Sequence, residues 1–278
     1  MSMNQSVLIC DQVNPVLNEI LEKNGLQITY EPEITPEQIL EKIENFEVII
    51  VRSRTKITKD MIEKANKCQI IARVGVGLDN IDQAAAKEKN IRVINAVEGA
   101  MNAVAELVIG LMLSLAREIP RADREVRNGN WIKKELMGTE LRGKYLGIVG
   151  LGNIGKRLGR LARALNMNII GYDVVPIDEE FSSEVGLMKA DLGTLLASSD
   201  YVSLHVPLLD STKHLINAEK MSTMKNTSRI INTSRGGVID EDALYEFLKD
   251  GKLGGAALDV FEVEPATSNK LASLPNFI

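Results

Sequence analysis

The stretch YLGIVGLGNIGKRLGRLARALNMNIIGYD, residues 145–173, decides the fold. An apolar run, Tyr145 to Val149, ends in Gly150-Leu151-Gly152-Asn153-Ile154-Gly155, and an amphipathic segment follows at once. Strand, glycine turn and helix in that order are the setting in which G-x-G-x-x-G carries meaning. Gly150 permits the tight turn, Gly152 lets the backbone approach a pyrophosphate, and Gly155 lets the helix pack close to the strand. The helix start presents N–H groups and the positive end of its dipole to phosphates. The glycine spacing alone is a weak signal, and an ordinary glycine-rich turn is its alternative. Asp173 strengthens it, because it closes the next strand about 20 residues on, where an acidic side chain bonds ribose hydroxyls. Val174 and Val175 follow it rather than Arg or Lys. A 2′-phosphate would meet a carboxylate there with no cation beside it, so NAD is expected over NADP.

The same alternation runs through the rest of the chain. Apolar runs at 7–10, 47–51, 69–74 and 91–96 alternate with helical patterns at 14–23, 35–44, 58–66 and 80–89. Further runs at 201–206, 228–234 and 253–260 continue the series begun at 145–150 and 168–173, and Phe277-Ile278 starts another. Strands separated by helical crossovers predict parallel sheets covered by helices on both faces. Between the two series lies a long helical pattern, 103–128, with Pro120 as an expected break. The pattern predicts two α/β domains, residues 1–98 and 99–278, joined by a helix that links them, forms a subunit interface, or does both.

Composition fits a globular protein, with 45% hydrophobic and 26% charged residues in 278. The net charge of -5 argues against nucleic acid or an anionic membrane as the main partner. MSMNQSVLIC lacks the basic and apolar regions of a signal peptide. The longest apolar stretch, Val104 to Ala116, carries Glu106 and reads as too short to span a bilayer. A cytoplasmic location is the expectation, with Cys10 and Cys68 as buried thiols.

Four stretches carry candidate chemistry. In INTSRGGVIDEDAL, 231–244, a strand ends in Thr233-Ser234-Arg235-Gly236-Gly237, and Asp240 is placed to cap the next helix. Ligands bind beyond the carboxyl ends of parallel strands, and the forked guanidinium of Arg235 suits a carboxylate. A surface ion pair is the equal alternative. In GAALDVFEVEP, 255–265, Asp259 and Glu264 bracket a turn, where a carboxylate could orient a histidine or simply face solvent. VRSRTKIT, 51–58, places Arg52, Ser53, Arg54 and Lys56 after a strand, suited to an anion or to a solvated loop. RVGVGLDNID, 73–82, has Gly75 and Gly77 but Asn80 at the third glycine position. Its backbone could present N–H groups to a small anion, or form a plain turn capped by Asp79 or Asn80. The two histidines are His205, at the end of an apolar strand, and His214, in a polar approach to a helix that reads as surface.

With ELRGKYLGIVGLGNIG and NAVAELVIGLMLSLAR, these stretches run in one order through nearly the whole chain. In that order they resemble the D-isomer-specific 2-hydroxyacid dehydrogenases, and within that family most of all the members acting on 3-phosphoglycerate. The resemblance implies two Rossmann-like domains, a flavodoxin-like substrate domain and an NAD-binding one, with a cleft between them. It implies NAD held by Gly150, Gly152, Asn153, Ile154, Gly155 and Asp173. His205, Val206 and Pro207 would line the cofactor wall, with Thr233, Ser234, Arg235 and Asp259 also at the cofactor. Arg235 would bind the substrate carboxylate and Glu264 would hold the catalytic histidine. Arg52, Ser53, Val76 and Gly77 would contact a small 2-hydroxy acid. The linking helix and NAD-binding domain would form a homodimer, with Lys133 or Lys134 reaching the neighbour's cleft.

Two departures accompany the resemblance. Ala100 and Met101 replace a polar pair carried by many relatives. The family's catalytic histidine is expected just beyond Ile278, as is the helix that returns to complete the first domain. The function so implied is oxidation of 3-phosphoglycerate, the first step of serine synthesis. Glyoxylate, hydroxypyruvate or D-lactate chemistry is the runner-up, and a catalytically silent NAD-binding protein the alternative of another class.

Overall fold

The computed structural model describes residues 5–278, with the side chains of Val97 and Glu98 outside the described set. The first four residues of the stretch read for a signal peptide therefore lie outside it. The chain divides between Ala100 and Met101 into two compact units.

The first unit runs β1 (Ser6–Ile9), α1 (Pro15–Lys23), β2 (Gln27–Tyr30), α2 (Pro36–Lys42), β3 (Val48–Val51), α3 (Lys59–Lys64), β4 (Ile70–Arg73), α4 (Gln83–Glu88) and β5 (Arg92–Asn95). Its parallel sheet has the order β2-β1-β3-β4-β5. That is the flavodoxin-like order, with its switch point between β1 and β3. β2 is absent from the sequence reading because it is short and has no buried residue, so it shows little apolar periodicity. One face packs Ile39, Ile43, Met61, Ile62, Ala85 and Ala86 against Leu8, Ile49 and Ile71. The opposite face forms a smaller cluster around Val7, Ile9 and Ile50, with Leu17 and Leu21 of α1 against it.

α5 (Val97–Arg117) and α6 (Ile119–Arg127) occupy the long helical pattern. The break is at Glu118, whose φ of 53° is left-handed. Pro120 opens α6 rather than kinking a continuous helix, since its missing N–H costs nothing in a first turn. A second correction concerns length. As a helix, Gly99–Arg117 has 19 residues and a mean hydropathy of 1.7, sufficient to cross a membrane by length and composition. Its inner face accounts for much of that character, because Ala105, Val108, Met112, Leu115 and Ala116 are buried in the core of the second unit.

The second unit continues with β6 (Tyr145–Val149), α7 (Asn153–Ala164), β7 (Asn168–Tyr172), α8 (Glu179–Val185), β8 (Met188–Lys189), α9 (Leu192–Ser198), β9 (Tyr201–Leu204), α10 (Ala218–Ser222), β10 (Arg229–Asn232), α11 (Glu241–Lys249) and β11 (Gly255–Leu258). The parallel order β11-β10-β9-β6-β7-β8 is that of a dinucleotide-binding fold, with the switch point between β6 and β9. β6, β9, β10 and β11 are almost wholly buried, which explains why they read as continuous apolar runs rather than alternations. Phe277 begins a further parallel pairing beside β11, where the Ile278 N–H donates to the Ala256 carbonyl at 3.0 Å.

Candidate functional site

The glycine turn sits at the carboxyl end of β6, and each glycine answers a different constraint. Gly150 has φ +93°, and a Cβ there would lie 2.4 Å from the His205 carbonyl oxygen. A Cβ at Gly155 would lie 2.1 Å from the Gly150 carbonyl oxygen, so only glycine allows α7 this close to the turn. At Gly152 a Cβ would meet nothing within 4 Å. The chain does not require glycine there for packing, which leaves open space over the turn where a pyrophosphate would lie. No side chain caps α7 among the described residues. Its first-turn amides at Asn153 and Ile154 therefore face that space with the positive end of the helix dipole. Open space, uncapped amides and a glycine without internal need fit a dinucleotide phosphate.

Asp173 follows β7. Its Oδ2 accepts from the Leu151 N–H at 2.7 Å and its Oδ1 from the Val175 N–H at 3.1 Å. It thus braces the glycine turn. Val174 and Val175 are exposed beside it, with no cation between.

His205 stands where β9 ends. Its N–H donates to the Val149 carbonyl at 2.8 Å, and its Nε2 lies 2.9 Å from Ser203 Oγ. Burial alone pushes the imidazole down to about 4. It is neutral at pH 7. The sign for stability follows. With the folded value below the unfolded one (about 6.5), the unfolded chain binds the extra proton. The contribution is complete above pH 6.5 and is lost as pH falls toward 4. We expect up to about 3 kcal/mol of stability to disappear over that window, and His205→Gln to flatten the dependence. Urea unfolding at several pH values checks this, and a parent curve as flat as the variant's would refute it.

The turn after β10 is organised by Asn232, which the sequence reading missed. Its Oδ1 accepts from the Ser234 N–H at 3.0 Å and from Ser234 Oγ at 2.7 Å, while its Nδ2 donates to the Arg235 carbonyl at 2.9 Å. Asn at a strand end with Ser two residues on is the local signal of such a turn. Thr233 Oγ1 is buried without a hydrogen-bond partner. Arg235 is half-buried, and its Nη1 donates to the Ser234 carbonyl at 2.6 Å. Asp240 caps α11 as read, accepting from Ala243.

Beyond β11, the Asp259 N–H donates to the Asn232 carbonyl at 3.0 Å, tying the two strand ends together. Loss of solvation, then the nearby Glu264, raises the Asp259 carboxyl above its ordinary value. Glu264 accepts from the Phe261 N–H at 3.0 Å. Neither histidine of the chain bonds to it in this structure. His214 bonds Glu262 instead.

Gly150, Gly152, Gly155, Asp173, His205, Val206, Pro207, Thr233, Ser234, Arg235, Asp259 and Glu264 thus all stand at or just past carboxyl ends of strands in one sheet.

In the first unit Arg52, Ser53 and Arg54 follow β3 and line a recess of about 240 Å3 with Asp11, Gln12, Pro32 and Glu33. The cluster of three cations read from the sequence, Arg52, Arg54 and Lys56, is split. Arg54 is a structural tie. Its Nε donates to Asp11 Oδ1, and its Nη atoms to the carbonyls of Cys10, Pro32 and Ile34. Arg52 is exposed, with Nη1 donating to the Gln12 carbonyl at 3.1 Å, and Lys56 is exposed. Arg73, at the end of β4 and buried, donates from Nη2 to Ser53 Oγ at 3.4 Å. It adds a second cation that the sequence reading did not single out. The helix after the turn at Val76 and Gly77 takes its cap from a residue that the sequence reading did not name. Asp82 caps α4, and Asn80 donates to the carbonyls of Arg52 and Thr55. Burial raises the thiols of Cys10 and Cys68 to about 12 and about 11, so both are unreactive. Among the described residues no group of His, Cys, Asp or Glu is arranged to hold a metal.

Residues 109–278 match the family described as D-isomer specific 2-hydroxyacid dehydrogenase, NAD binding domain. The chain is 46% identical to D-3-phosphoglycerate dehydrogenase of Methanocaldococcus jannaschii over 273 residues, which is 98% of this chain and 52% of that protein. It is also 46% identical to hydroxypyruvate reductase of Thermotoga maritima, over 93% of this chain and 84% of that one. Among solved structures, D-lactate dehydrogenase of Aquifex aeolicus complexed with NAD and lactic acid matches with TM-score 0.85 and 32% identity, covering 98% of this chain and 86% of that one. The chain spans about half the length of the D-3-phosphoglycerate dehydrogenases it matches. The second unit is an NAD-binding domain, and the chain belongs to the D-isomer specific 2-hydroxyacid dehydrogenase family.

Proposed function

We propose that this protein transfers hydride between a D-2-hydroxy acid and NAD, and that the acid is 3-phosphoglycerate, oxidised to 3-phosphohydroxypyruvate. The observation that carries the reading is the turn after β10. Asn232 holds it so that a half-buried arginine and an unpartnered threonine hydroxyl stand at the carboxyl edge of the NAD-binding sheet. When bound, nicotinamide supplies a hydride acceptor. Arg235 then holds the substrate carboxylate by a forked pair of hydrogen bonds and polarises the oxygen at C2. Thr233 Oγ1 is free to hydrogen-bond the ligand. Asp259 and Glu264 supply the carboxylates that orient a proton-accepting group. His205, held neutral, shields the cofactor from water. In the first unit, the exposed Arg52 offers charge for an anion.

A second reading is reduction of hydroxypyruvate, favoured by one observation: Arg54, the central cation of the cluster, is committed to backbone carbonyls. Steady-state assays at 340 nm with 3-phosphoglycerate, hydroxypyruvate, glyoxylate and D-lactate separate the two readings. NAD binding by calorimetry with no turnover of any of them would overturn both and leave a cofactor-binding protein. We expect Arg235→Lys to raise KM for the acid about 10-fold or more, since one ammonium replaces a planar fork, with NAD affinity within about twofold. Equal losses of both would remove Arg235 from the carboxylate.

We also propose a homodimer through α5, α6 and the segment after them. Leu107, Leu113, Ile119, Val126, Trp131 and Met137 are exposed on these elements. A second copy is the occupant that covers them, and sedimentation of the chain, compared with Trp131→Glu, tests it.

A further inference from the structure

The structure joins three residues that neither the motif reading nor the proposed mechanism uses: His214, Glu241 and Glu262. We propose that they form a clasp that positions the 259–265 turn, and with it Asp259 and Glu264, against Arg235.

Glu262 is the crossing point. Its N–H donates to Glu241 Oε1 at 2.6 Å, and its own Oε1 accepts from the Glu241 N–H at 3.2 Å. Each carboxylate therefore satisfies the other residue's amide. The same Glu262 Oε1 lies 3.0 Å from His214 Nε2. Because a carboxylate can only accept, Nε2 carries the proton and donates. The far end of the loop is held to the same helix, with Asn269 Nδ2 donating to Glu241 Oε2 at 2.8 Å and Lys270 Nζ 2.6 Å from Asp242 Oδ1.

The clasp acts on the site because there is no slack beneath it. A Cβ at Gly236, next to Arg235, would lie 1.8 Å from the Phe261 carbonyl oxygen and 2.8 Å from the Glu262 nitrogen. The 261–262 backbone thus rests directly on the arginine turn. The His214 N–H donates to the Gly237 carbonyl at 2.7 Å. His214 therefore grips the arginine turn through its backbone and the carboxylate turn through its ring. It does so with φ 49°, a left-handed conformation that a glycine would hold more easily. The His214 and Glu262 side chains are 38% and 35% exposed, so their pairing adds little to global stability. Its effect is on placement, and catalytic geometry is sensitive to displacements of about 1 Å.

The proposal rests on the reading of Arg235 and Glu264 given above. The test uses His214→Gly, Glu262→Ala and Glu262→Gln in the full chain. Its readouts are NADH affinity by fluorescence, affinity of the NADH complex for oxalate as a carboxylate probe, and amide exchange at Phe261 and Glu262. We expect His214→Gly and Glu262→Ala to speed exchange at both amides and weaken oxalate about 10-fold, with NADH affinity within about twofold. Glu262→Gln, whose amide oxygen still accepts, should stay near the parent. A role confined to turn strain would leave His214→Gly as well protected as the parent, because glycine relieves that strain. Unchanged oxalate affinity in His214→Gly and Glu262→Ala overturns the proposal. If the parent complex binds no oxalate, the functional reading fails and exchange alone decides the clasp: faster exchange at Phe261 and Glu262 supports it, and unchanged exchange overturns it.

Discussion

Gly152→Ala is expected to leave the protein as stable as the parent and to weaken NAD binding about 100-fold, or ~2.7 kcal/mol. Both halves come from one measurement of space. A methyl group at this position meets no protein atom within 4 Å, so folding has nothing to lose beyond a slight gain from reduced backbone freedom in the unfolded chain. The same methyl projects into the volume over the uncapped start of α7, where a pyrophosphate must come within hydrogen-bonding distance of the backbone. Gly155→Ala gives the contrast. Its Cβ would sit 2.1 Å from a backbone oxygen that cannot move without opening the turn. That variant should lose about 2 kcal/mol or more of stability together with NAD binding. Thermal melts and calorimetric NAD titrations of the two variants check this. A Gly152→Ala protein that binds NAD as the parent does would move the phosphate site away from this turn.

Asp11→Ala should destabilise the first unit by about 3 kcal/mol. Asp11 is 2% exposed and is the hub of the loop after β3. Its two carboxylate oxygens accept from the backbone N–H groups of Arg52 and Thr55, from Thr55 Oγ1 at 2.8 Å and from Arg54 Nε at 3.1 Å. Removing the carboxylate leaves two amides unpaired, each at a cost of about 1–3 kcal/mol if water cannot reach it, and leaves the Thr55 hydroxyl only its long bond to the Cys10 carbonyl at 3.5 Å. The Arg54 side chain is 47% exposed, so solvent offsets part of the lost ion pair and the figure belongs at the lower end of the range for broken buried pairs. Because the same carboxylate fixes the backbone at Arg52, affinity for the acid should fall more than affinity for NAD. Urea unfolding of the variant, with substrate and NAD titrations beside it, measures both. An unfolding curve that overlays the parent's would show that the loop is held by something else.

How much of this was legible in the sequence depends on whether the cause was local. The glycine turn, Asp173, the cap at Asp240 and the helix break next to Pro120 are set by backbone conformations and short-range hydrogen bonds, which residue type and spacing encode directly. Both parallel sheets were legible as well, because strands buried on two faces must be continuous apolar runs separated by helical crossovers. β2 and β8 were not, since edge strands of four and two residues with little or no burial carry no such pattern. The cap of α4 was misread by a few residues because Asp79, Asn80 and Asp82 are chemically equivalent candidates, and only the fold shows that Asn80 turns inward to the carbonyls of Arg52 and Thr55.

The sequence by itself determined the alternation of strands and helices, the placement of a dinucleotide turn and its acid, and the ends of strands at which chemistry would gather. The tertiary structure alone decided what each polar side chain does there. It committed Arg54 to four bonds within the first unit, held the His205 ring neutral by burial and tied His214 to Glu262. It also made Gly236 a contact for a backbone 25 residues later. The physical reason is range. Periodicity and caps are interactions among near neighbours in the chain. The partner of a charge and the space around a glycine are supplied by residues far along it, and only folding brings those together.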